Sequence, residues 1–544
     1  MTKLLKRAII LVVMAVVLIN TTGCNQNANV NKEAAPISAY EPKADKQYEI
    51  SWTFYQTAPL KSDAVMKKFW EDKFNVKLDV WDIENNRAEE IINLRMSSGE
   101  IPDKFSAKSN LSLSNYVDQD VIAEIPMEVL EKYGPNILKR LNQDVPGALD
   151  YCKIDGKLYG IPTYTMNVAR NPIVWRGDWL KNVGIEKIPE TLDEFEEAFY
   201  KFTNEDPDGN GIKDTYGLSS TALMPVFLAY GYLPIVTGIN TNDLWKIVDG
   251  KILCAAVQPE MKDALERINK WYNDGIIDPE FVTGENQGGY WALSHAFING
   301  RIGTTSLGQT YHYQPKFFET DNYGVNREEL NKLNPAAAEA IVIGNPPIGP
   351  NGERGALSNP PAKEEKIVFG KNLVNEPDKM GKILQMLDWI YESKTNHLIT
   401  TMGIEGQMWE NQERTALNGN SYTAAVAIGE YAEGSALNAH FAHTAMSIFE
   451  PSFSDEDLQT TPYKEWELSI GSDKYRVYNA LQSALPSQSQ YIVELNKLEQ
   501  EAYLEIITGK KPISYFDDFV VQWRKLGGEI LEKEAQEWYE STQR

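Results

Sequence analysis

Hydrophobic and polar positions follow regular periods from residue 48 onward. The segment YEISWTFYQ alternates with a period of two and predicts a strand at 48–56, and helical spacing follows at 63–74. A second strand at 76–81 and a second helix at 88–98 repeat this order. Alternating strands and helices predict an α/β layer with a parallel sheet.

The same two periods continue toward the C-terminus, separated by turns that contain Gly and Pro. Two short apolar runs predict strands at 173–175 and 302–305. Further helices are expected, in chain order, at 122–141 in two pieces, at 191–202 after a Thr191–Glu194 capping box, and at 262–274, 291–298, 377–391, 491–507 and 513–540. The part from about residue 464 is therefore mostly helical, and the sequence shows no internal repeat.

The first residues of the chain carry a different pattern. Three basic residues among the first seven precede the apolar run AIILVVMAVVLI at 8–19, and small residues follow. This order predicts a secretory signal peptide at 1–23. The run is shorter than the roughly 20 apolar residues that a permanent membrane helix needs. We therefore expect the rest of the chain to work outside the cytoplasm.

A cysteine, Cys24, directly follows the small residues. This arrangement resembles the lipobox of bacterial lipoproteins, in which the cysteine is lipidated and becomes the mature N-terminus. Thr21 departs from the pattern, because Leu is usual there; ordinary cleavage and an uncleaved anchor are the alternatives. Residues 24–47 have few large apolar side chains and predict a flexible tether. We expect a protein lipid-anchored to the extracellular face of the cell membrane.

Length and charge narrow the class of protein. The 544 residues allow two substantial lobes, because single cores stop growing at roughly 250–300 residues. The net charge of −24 excludes nucleic acid as a partner and disfavours anionic headgroups. The 13 Trp and 27 Tyr indicate a surface that binds something flat, although a single ring is more often in a core. Cys152 and Cys254 have apolar neighbours, which favours two free buried thiols over a disulfide.

An acidic, glycine-rich loop, DPDGNGIKD, occupies 206–214. Oxygen-bearing residues at loop positions one, three, five and nine, with Gly at position six, are typical of a calcium-binding loop. The expected ligands are four side chains and then one backbone carbonyl, from Asp206, Asp208, Asn210, Asp214 and Ile212. Gly217 stands where a bidentate Glu would complete an EF-hand, so we expect a structural Ca²⁺ that joins a helix end to the next strand. A turn without metal is the alternative.

Motifs of catalysis are absent from the sequence. The five histidines form no HExxH motif, and there is no GxSxG, no P-loop and no GxGxxG after a strand. Carboxylates are too plentiful for any pair to be nominated as the acid and base of a glycosidase. We therefore expect that the protein is not an enzyme.

Several phrases, taken in order, resemble a known family. They are MSSGEIPD at 96–103, GKLYGIP at 156–162, WRGDWL at 175–180, the acidic loop continued by TYGL, FINGRIG at 297–303 and GIEG at 403–406. This set resembles the extracellular solute-binding lipoproteins of carbohydrate ABC importers, of the large oligosaccharide-binding type similar to family 1. One departure is Lys104, because relatives usually continue with apolar residues after the Asp at position 103.

The resemblance implies an α/β, two-lobed periplasmic-binding-protein-like fold of type II, with a multi-segment hinge and a helical C-terminal part. The first lobe would comprise 48–163 plus about 306–392, and the second 164–305 plus about 393–544. Such a monomer would capture an oligosaccharide by hinge closure and deliver it to the membrane permease of an ABC importer. In related proteins the acidic loop binds a structural calcium. A surface-anchored glycoside hydrolase or polysaccharide lyase is the alternative, since it would share the aromatic residues and the calcium.

Sugars are bound by aromatic faces, with carboxylates, amides and Arg on their hydroxyls. We expect these groups where strands end at the lobe boundary, because open α/β sheets bind ligands there. The candidate ligand-binding residues are Trp52, Tyr55, Trp175, Arg176, Trp291, Tyr311, His312, Tyr313, Glu405 and Trp409. For each of them, core packing or a solvated surface is the competing interpretation. Arg176 could instead pair with Asp178; facing the cleft, it would favour acidic sugars.

Overall fold

The computed structural model describes residues 35–56, 58–84, 87–164, 171–236, 243–357, 362–433, 435–446 and 461–542. The predicted signal peptide and Cys24 lie outside the described residues. Residues 1–39 and 40–544 form separate compact units. Of the first unit, residues 35–39 are described, and they include the start of a short 3₁₀ helix. The fold below is that of the second unit. No helix among the described residues is both long and apolar enough to cross a membrane.

Strands and helices alternate through most of the second unit. The strands are β1 Tyr48–Gln56, β2 Val76–Glu84, β3 Lys104–Ala107, β4 Lys153–Ile154, β5 Lys157–Leu158, β6 Ile161–Tyr164, β7 Ile173–Arg176, β8 Tyr216–Leu218, β9 Trp245–Val248, β10 Lys251–Cys254, β11 Ile302–Thr305, β12 Ile341–Gly344, β13 Ala356–Leu357, β14 Ala362–Phe369, β15 Trp409–Thr415, β16 Ser421–Ala427 and β17 Arg476–Val477. The α-helices are α1 Val65–Phe74, α2 Ala88–Ser97, α3 Asn110–Asp118, α4 Met127–Tyr133, α5 Pro135–Asp144, α6 Gly177–Asn182, α7 Leu192–Asn204, α8 Leu223–Leu228, α9 Glu260–Asn273, α10 His295–Ile298, α11 Val325–Leu333, α12 Pro335–Glu339, α13 Pro377–Glu392, α14 Lys394–Met402, α15 Ala436–Ala439, α16 Pro462–Ile470, α17 Gln488–Ile507, α18 Tyr515–Trp523 and α19 Glu529–Thr542, with a π-helical turn between the last two.

Two mixed sheets form the framework. The first has the strand order β2-β1-β3-β14-β6, in which β1 is parallel to both β2 and β3 and β14 is antiparallel to β3 and β6. The second has the order β12-β7-β11-β8, with β11 parallel to β8 and antiparallel to β7. The predicted parallel pairing of β1 and β2 is confirmed. The two sheets are mixed because β14 and β12, which come later in the chain, pair antiparallel with their neighbours.

The chain passes between the two sheets more than once. It leaves the first sheet after β6, joins the second at β7, and returns between β12 and β14. A later segment again contacts the first sheet, since the Trp52 indole Nε1 donates a hydrogen bond of 3.1 Å to the Ala445 carbonyl. Helices α17 to α19 then pack in the hydrophobic core of the second sheet. This connectivity agrees with the multi-segment hinge that the family resemblance implied.

Two of the predicted lobe boundaries differ from the strand pairing. Strand β12 falls in the range predicted for the first lobe, yet Val342 pairs with Trp175 of β7 in the second sheet. Residues 436–446 fall in the range predicted for the second lobe, yet Phe441 packs edge-on against Phe54 of β1 at 5.4 Å. Short strands and single helical turns carry too little periodicity for their partners to be read from the sequence.

The last part of the predicted tether is held against the body of the protein. Tyr40 is 8% exposed, and the Lys46 ammonium lies 2.9 Å from the Asp378 carboxylate of α13. Gly381 permits this approach, because a Cβ at that position would lie 2.0 Å from the Tyr40 carbonyl oxygen. Residues 40–47 are therefore fixed by contacts that their composition did not predict.

Local signals behave as the sequence predicts around α7. The Thr191 hydroxyl accepts a hydrogen bond of 3.2 Å from the Glu194 amide, and the Glu194 carboxylate accepts one of 2.8 Å from the Thr191 amide. This capping box sets the start of the helix. Cys152 and Cys254 are free and buried, as predicted.

Candidate functional site

Three exposed aromatic side chains meet around one histidine. Trp291, Tyr290 and Tyr311 are 47, 44 and 40% exposed. The imidazole of His312 lies between them, with ring centroids 5.3 Å from Trp291, 5.7 Å from Tyr290 and 3.9 Å from Tyr311. We call these four residues the aromatic platform. Clustered apolar rings that stay in water are typical of a binding surface.

His312 holds the platform in place. It is 1% exposed, its Nδ1 accepts a hydrogen bond of 2.9 Å from the Gln309 amide, and its Nε2 lies 3.2 Å from the Tyr290 hydroxyl. Burial lowers the pKa of His312 to about 4, so the imidazole is neutral at physiological pH. Gly308 is required beside it, because its φ is +91° and a Cβ would lie 3.0 Å from Nδ1. The ring is therefore a fixed, uncharged support for its three neighbours.

A buried carboxylate lies a few residues before the platform in the chain. Glu285 is 2% exposed and accepts hydrogen bonds from the amide and hydroxyl of Thr221, at 2.8 and 2.5 Å. Its other oxygen accepts from the hydroxyls of Ser294 and Thr305, at 2.7 and 2.6 Å. Burial raises the pKa of Glu285, and the four donors oppose that shift. These bonds fix both ends of the segment that presents Tyr290 and Trp291.

Three more aromatic rings form a second cluster after the aromatic platform in the chain. The ring of Phe317 lies 6.1 Å from Tyr463 and 5.9 Å from Trp466 of α16. Burial raises the pKa of Tyr463, the Glu467 carboxylate adds to the rise, and Tyr311 adds a smaller part.

In the first sheet, the two candidate rings are each covered by a lysine. The Lys104 ammonium lies 4.6 Å from the Trp52 ring centroid, and the Lys108 ammonium lies 3.6 Å from that of Tyr55. Trp52 is fully buried, and the Tyr55 hydroxyl accepts a hydrogen bond of 3.0 Å from the Ser106 amide. Burial raises the pKa of Tyr55 to about 12. A lysine ammonium therefore covers each of these rings, so neither ring offers a bare aromatic face.

Trp175 requires a correction, because it is a core residue. It is fully buried, and its ring centroid lies 4.7, 5.8 and 6.2 Å from three phenylalanines of α7, namely Phe195, Phe199 and Phe202. Protein covers its ring, so no face remains for a sugar. Its position at the end of a strand suggested the cleft, but the strand is buried on both sides.

Arg176 also requires a correction. It is 4% exposed, and its guanidinium forms a forked pair with Asp178, at 2.8 and 2.5 Å. The same guanidinium lies 4.7 Å from the Trp179 ring centroid. The competing interpretation, an internal ion pair, therefore holds.

Of the three remaining candidates, two are buried and one is exposed. Tyr313 is fully buried and donates to the Leu307 carbonyl at 2.8 Å, and Trp409 is 3% exposed and donates to the Gly403 carbonyl at 2.8 Å. Both are therefore structural in this conformation. Glu405 is exposed and accepts a hydrogen bond of 3.3 Å from Asn411, on the hairpin formed by β15 and β16.

The acidic loop turns its oxygen atoms toward one another. The Asn210 amide nitrogen lies 2.9 Å from an oxygen of Asp208 and 3.4 Å from one of Asp214. The Asp206 carboxylate accepts from the backbone of Asn210 and Gly211. Burial and the neighbouring Asp214 and Asp206 charges raise the pKa of Asp208, although the Asn210 amide opposes the rise.

Whether the loop fits Ca²⁺ depends on its complete donor set. Among the described residues, no three His, Cys, Asp or Glu side chains form a group that could hold a metal ion. Calcium takes six to eight oxygens, including amide and backbone carbonyls and water. The side chain of Asn210 already bridges two carboxylates, and a reversed amide would present its oxygen there instead. With the amide oxygen of Asn210, the backbone carbonyl of Ile212 and water added to the carboxylates, the residues of the acidic loop fit a Ca²⁺ site.

Sequence reasoning missed several residues of this region. Tyr290 and Glu285 follow no motif, and only their distance in space from His312 and Thr221 assigns them a role. Lys104 left a signal as a departure from the family phrase, and Lys108 left none. Strand β14, which borders β3, was also not predicted.

The two mixed sheets and their connections define a periplasmic-binding-protein-like fold. The crystal structure of the alginate-binding protein AlgQ2 without calcium ion matches with a TM-score of 0.66 and 18% identity, over 91% of this chain and 98% of AlgQ2. The family of bacterial extracellular solute-binding proteins matches residues 64–326. The resemblance to extracellular solute-binding proteins that the sequence indicated is therefore confirmed.

Two relatives match along nearly the whole length. Lipoprotein LipO of Bacillus subtilis (strain 168) is 25% identical over 520 residues, covering 94% of this chain and 92% of LipO. The polygalacturonan/rhamnogalacturonan-binding protein YtcQ of the same strain is 26% identical over 520 residues, covering 93% of this chain and 94% of YtcQ.

Proposed function

We propose that this protein captures an oligosaccharide outside the cytoplasm and delivers it to the membrane permease of an ABC importer. The observation that carries the proposal is the aromatic platform, in which Trp291 and Tyr311 stay exposed on a buried histidine. Rings held in this way suit the C–H faces of sugars. The similarity to YtcQ, a polygalacturonan/rhamnogalacturonan-binding protein, and to AlgQ2, an alginate-binding protein, supports a carbohydrate ligand.

Capture would proceed by closure of the two lobes, each contributing part of the site. The chain runs between the sheets in more than one segment, which suits a hinge. The binding protein would act as a monomer without catalysis. Lipid on Cys24 would keep it close to the permease.

Replacing Trp291 with Ala should weaken binding of an oligosaccharide by about ten- to hundredfold, because an aromatic stacking partner contributes roughly 1.5–3 kcal/mol. Isothermal titration against a panel of oligosaccharides measures this change. Leu94→Ala, which removes another exposed apolar side chain, is the control and should bind like the wild type. Equal affinity in the Trp291 variant would contradict the proposed site.

The same panel tests the enzymatic alternative. Prolonged incubation of the protein with each oligosaccharide should yield no new reducing ends and no unsaturated products. Turnover that disappears on mutation of one carboxylate would favour a hydrolase or lyase instead.

We propose in addition that Asp206, Asp208, Asn210, Asp214 and the Ile212 carbonyl hold a structural Ca²⁺. The bound ion would neutralise the crowded carboxylates and join the end of α7 to β8. Gly217 of β8 lies against α7, where a Cβ would come within 2.5 Å of the Phe199 side chain, so the two elements are closely packed beside the loop.

Adding Ca²⁺ to the chelator-treated protein should raise its melting temperature by roughly 2–5 °C, because a ligand that binds only the folded state stabilises it. Asp208→Ala should abolish this shift, whereas Asp193→Ala, a change of an exposed acid on α7, should preserve it. The raised pKa of Asp208 means that protons compete with the ion, so the shift should be smaller at pH 5 than at pH 7.5. An Asp208 variant that still responds to Ca²⁺ would contradict the site.

A further inference from the structure

Two lysines at the two ends of β3 stand beside the candidate rings. Lys104 begins β3 and Lys108 follows its end, and both ammonium groups interact with the Glu365 carboxylate. The intervening Phe105 and Ala107 are buried in a hydrophobic cluster. We call Lys104 and Lys108, with their rings Trp52 and Tyr55, the basic edge.

The two lysines differ in their partners. The Lys108 ammonium lies 2.9 Å from the Glu365 carboxylate, and both side chains keep partial exposure. Lys104 is 5% exposed and takes part in none of the ion pairs found between described residues. Its neighbours are the Trp52 ring and, at longer range, Glu365 and Lys108. Two cations therefore share one carboxylate, in a protein whose net charge is −24.

A buried ammonium without an anion is costly, because the protein interior solvates charge poorly. Burial accordingly lowers the pKa of Lys104 to about 7. The arrival of an anionic group would offset this cost, whereas a neutral group would not.

Lys108 and Tyr55, at the carboxyl ends of β3 and β1, lie where a ligand is expected. Trp52 and Lys104 are direct partners in the parallel pairing of β1 and β3, and Lys108 follows the carboxyl end of β3. Open α/β sheets bind their ligands beyond the carboxyl ends of the strands. The Ala445 carbonyl, on a segment that returns from elsewhere in the chain, covers the Trp52 indole nitrogen.

We infer that Lys104 and Lys108 form a subsite for the carboxylate of a uronic acid, so that the ligand is an acidic oligosaccharide; this inference rests on the proposed function. The carboxylate would pair with the Lys104 ammonium, and Lys108 would be shared between the ligand and Glu365. Charge-assisted hydrogen bonds of this kind are stronger than bonds to neutral hydroxyls.

The test compares trigalacturonate with its fully methyl-esterified form, which has the same length without the charge. The wild-type protein should bind the acid at least tenfold more tightly. Lys104→Met should reduce the affinity for the acid by about ten- to hundredfold and leave the affinity for the ester unchanged. This variant removes an unpaired buried charge, so its melting temperature should not fall.

Two further variants sharpen the result. Glu365→Gln should strengthen binding of the acid, because it frees Lys108 from its carboxylate. Lys73→Met is the matched control, since the Lys73 ammonium lies 4.2 Å from the Trp389 ring centroid on another part of the first lobe, and it should change neither affinity.

The outcomes separate the two proposals. Equal affinity for acid and ester, or a preference for the acid that survives Lys104→Met, would overturn the inference and leave oligosaccharide binding in place. Failure of both trisaccharides to bind would overturn the acidic-ligand inference; the proposed function would fall with it only if the wider oligosaccharide panel also failed.

Discussion

Replacing Trp175 with Ala should lower the free energy of unfolding by about 3–5 kcal/mol, the usual cost of truncating a buried Trp. The indole is fully buried against Phe195, Phe199 and Phe202, and Ala would leave a cavity between β7 and α7. The surrounding rings are held by their own helix and can close that cavity only in part. The change should therefore affect stability far more than ligand affinity.

Denaturant unfolding followed by circular dichroism measures the stability of this variant, and titration with the oligosaccharide measures its affinity. Trp175→Phe should cost much less, because it keeps an aromatic ring and removes an indole nitrogen that has no hydrogen-bond partner. Trp291→Ala provides the converse comparison, with lost affinity and nearly unchanged stability. A Trp175→Ala protein that is stable but does not bind would restore Trp175 as a ligand residue.

The contrast between these two tryptophans shows what the sequence could predict. Both are candidates in the sequence, Trp175 at the end of a predicted strand and Trp291 at the start of a predicted helix. Trp175 is buried because α7 presents phenylalanines to it at helical spacing, and β12 covers its strand from a distant part of the chain. Trp291 is exposed because its helix begins later than predicted, at His295, which leaves the ring in a turn.

Local hydrophobic patterns correctly predicted most of the long strands and helices. The strand at 48–56 has the predicted bounds, and the helix predicted at 377–391 ends one residue later than expected. Strands β3, β14 and the hairpin of β15 and β16 were missed, since they are short or carry charged residues such as Lys366. Their pairing depends on long-range contacts that periodicity does not encode.

The candidate site was predicted in part for the same reason. Tyr311 and His312 were named because they follow a strand, and His312 now explains how Trp291 is supported. The basic edge could not be predicted as a unit, because Glu365 is remote from Lys108 in sequence. Only the departure at Lys104 pointed toward it.

Replacing Glu285 with Leu should destabilise the protein by about 3–5 kcal/mol, because it removes the acceptor shared by four buried donors. The Thr221 amide cannot turn to another partner, whereas the Ser294 and Thr305 hydroxyls can rotate. Glu285→Gln keeps the size of the side chain and one carbonyl oxygen, so we expect less than half of that loss.

The Leu variant should also weaken oligosaccharide binding, because the segment from Glu285 to Ser294 carries both Tyr290 and Trp291. Melting curves and titrations of the two variants measure these effects together. If the network only supports the core, binding by the folded fraction would stay at the wild-type level. A graded loss of affinity, larger for Leu than for Gln, would instead mean that the buried carboxylate positions the aromatic platform.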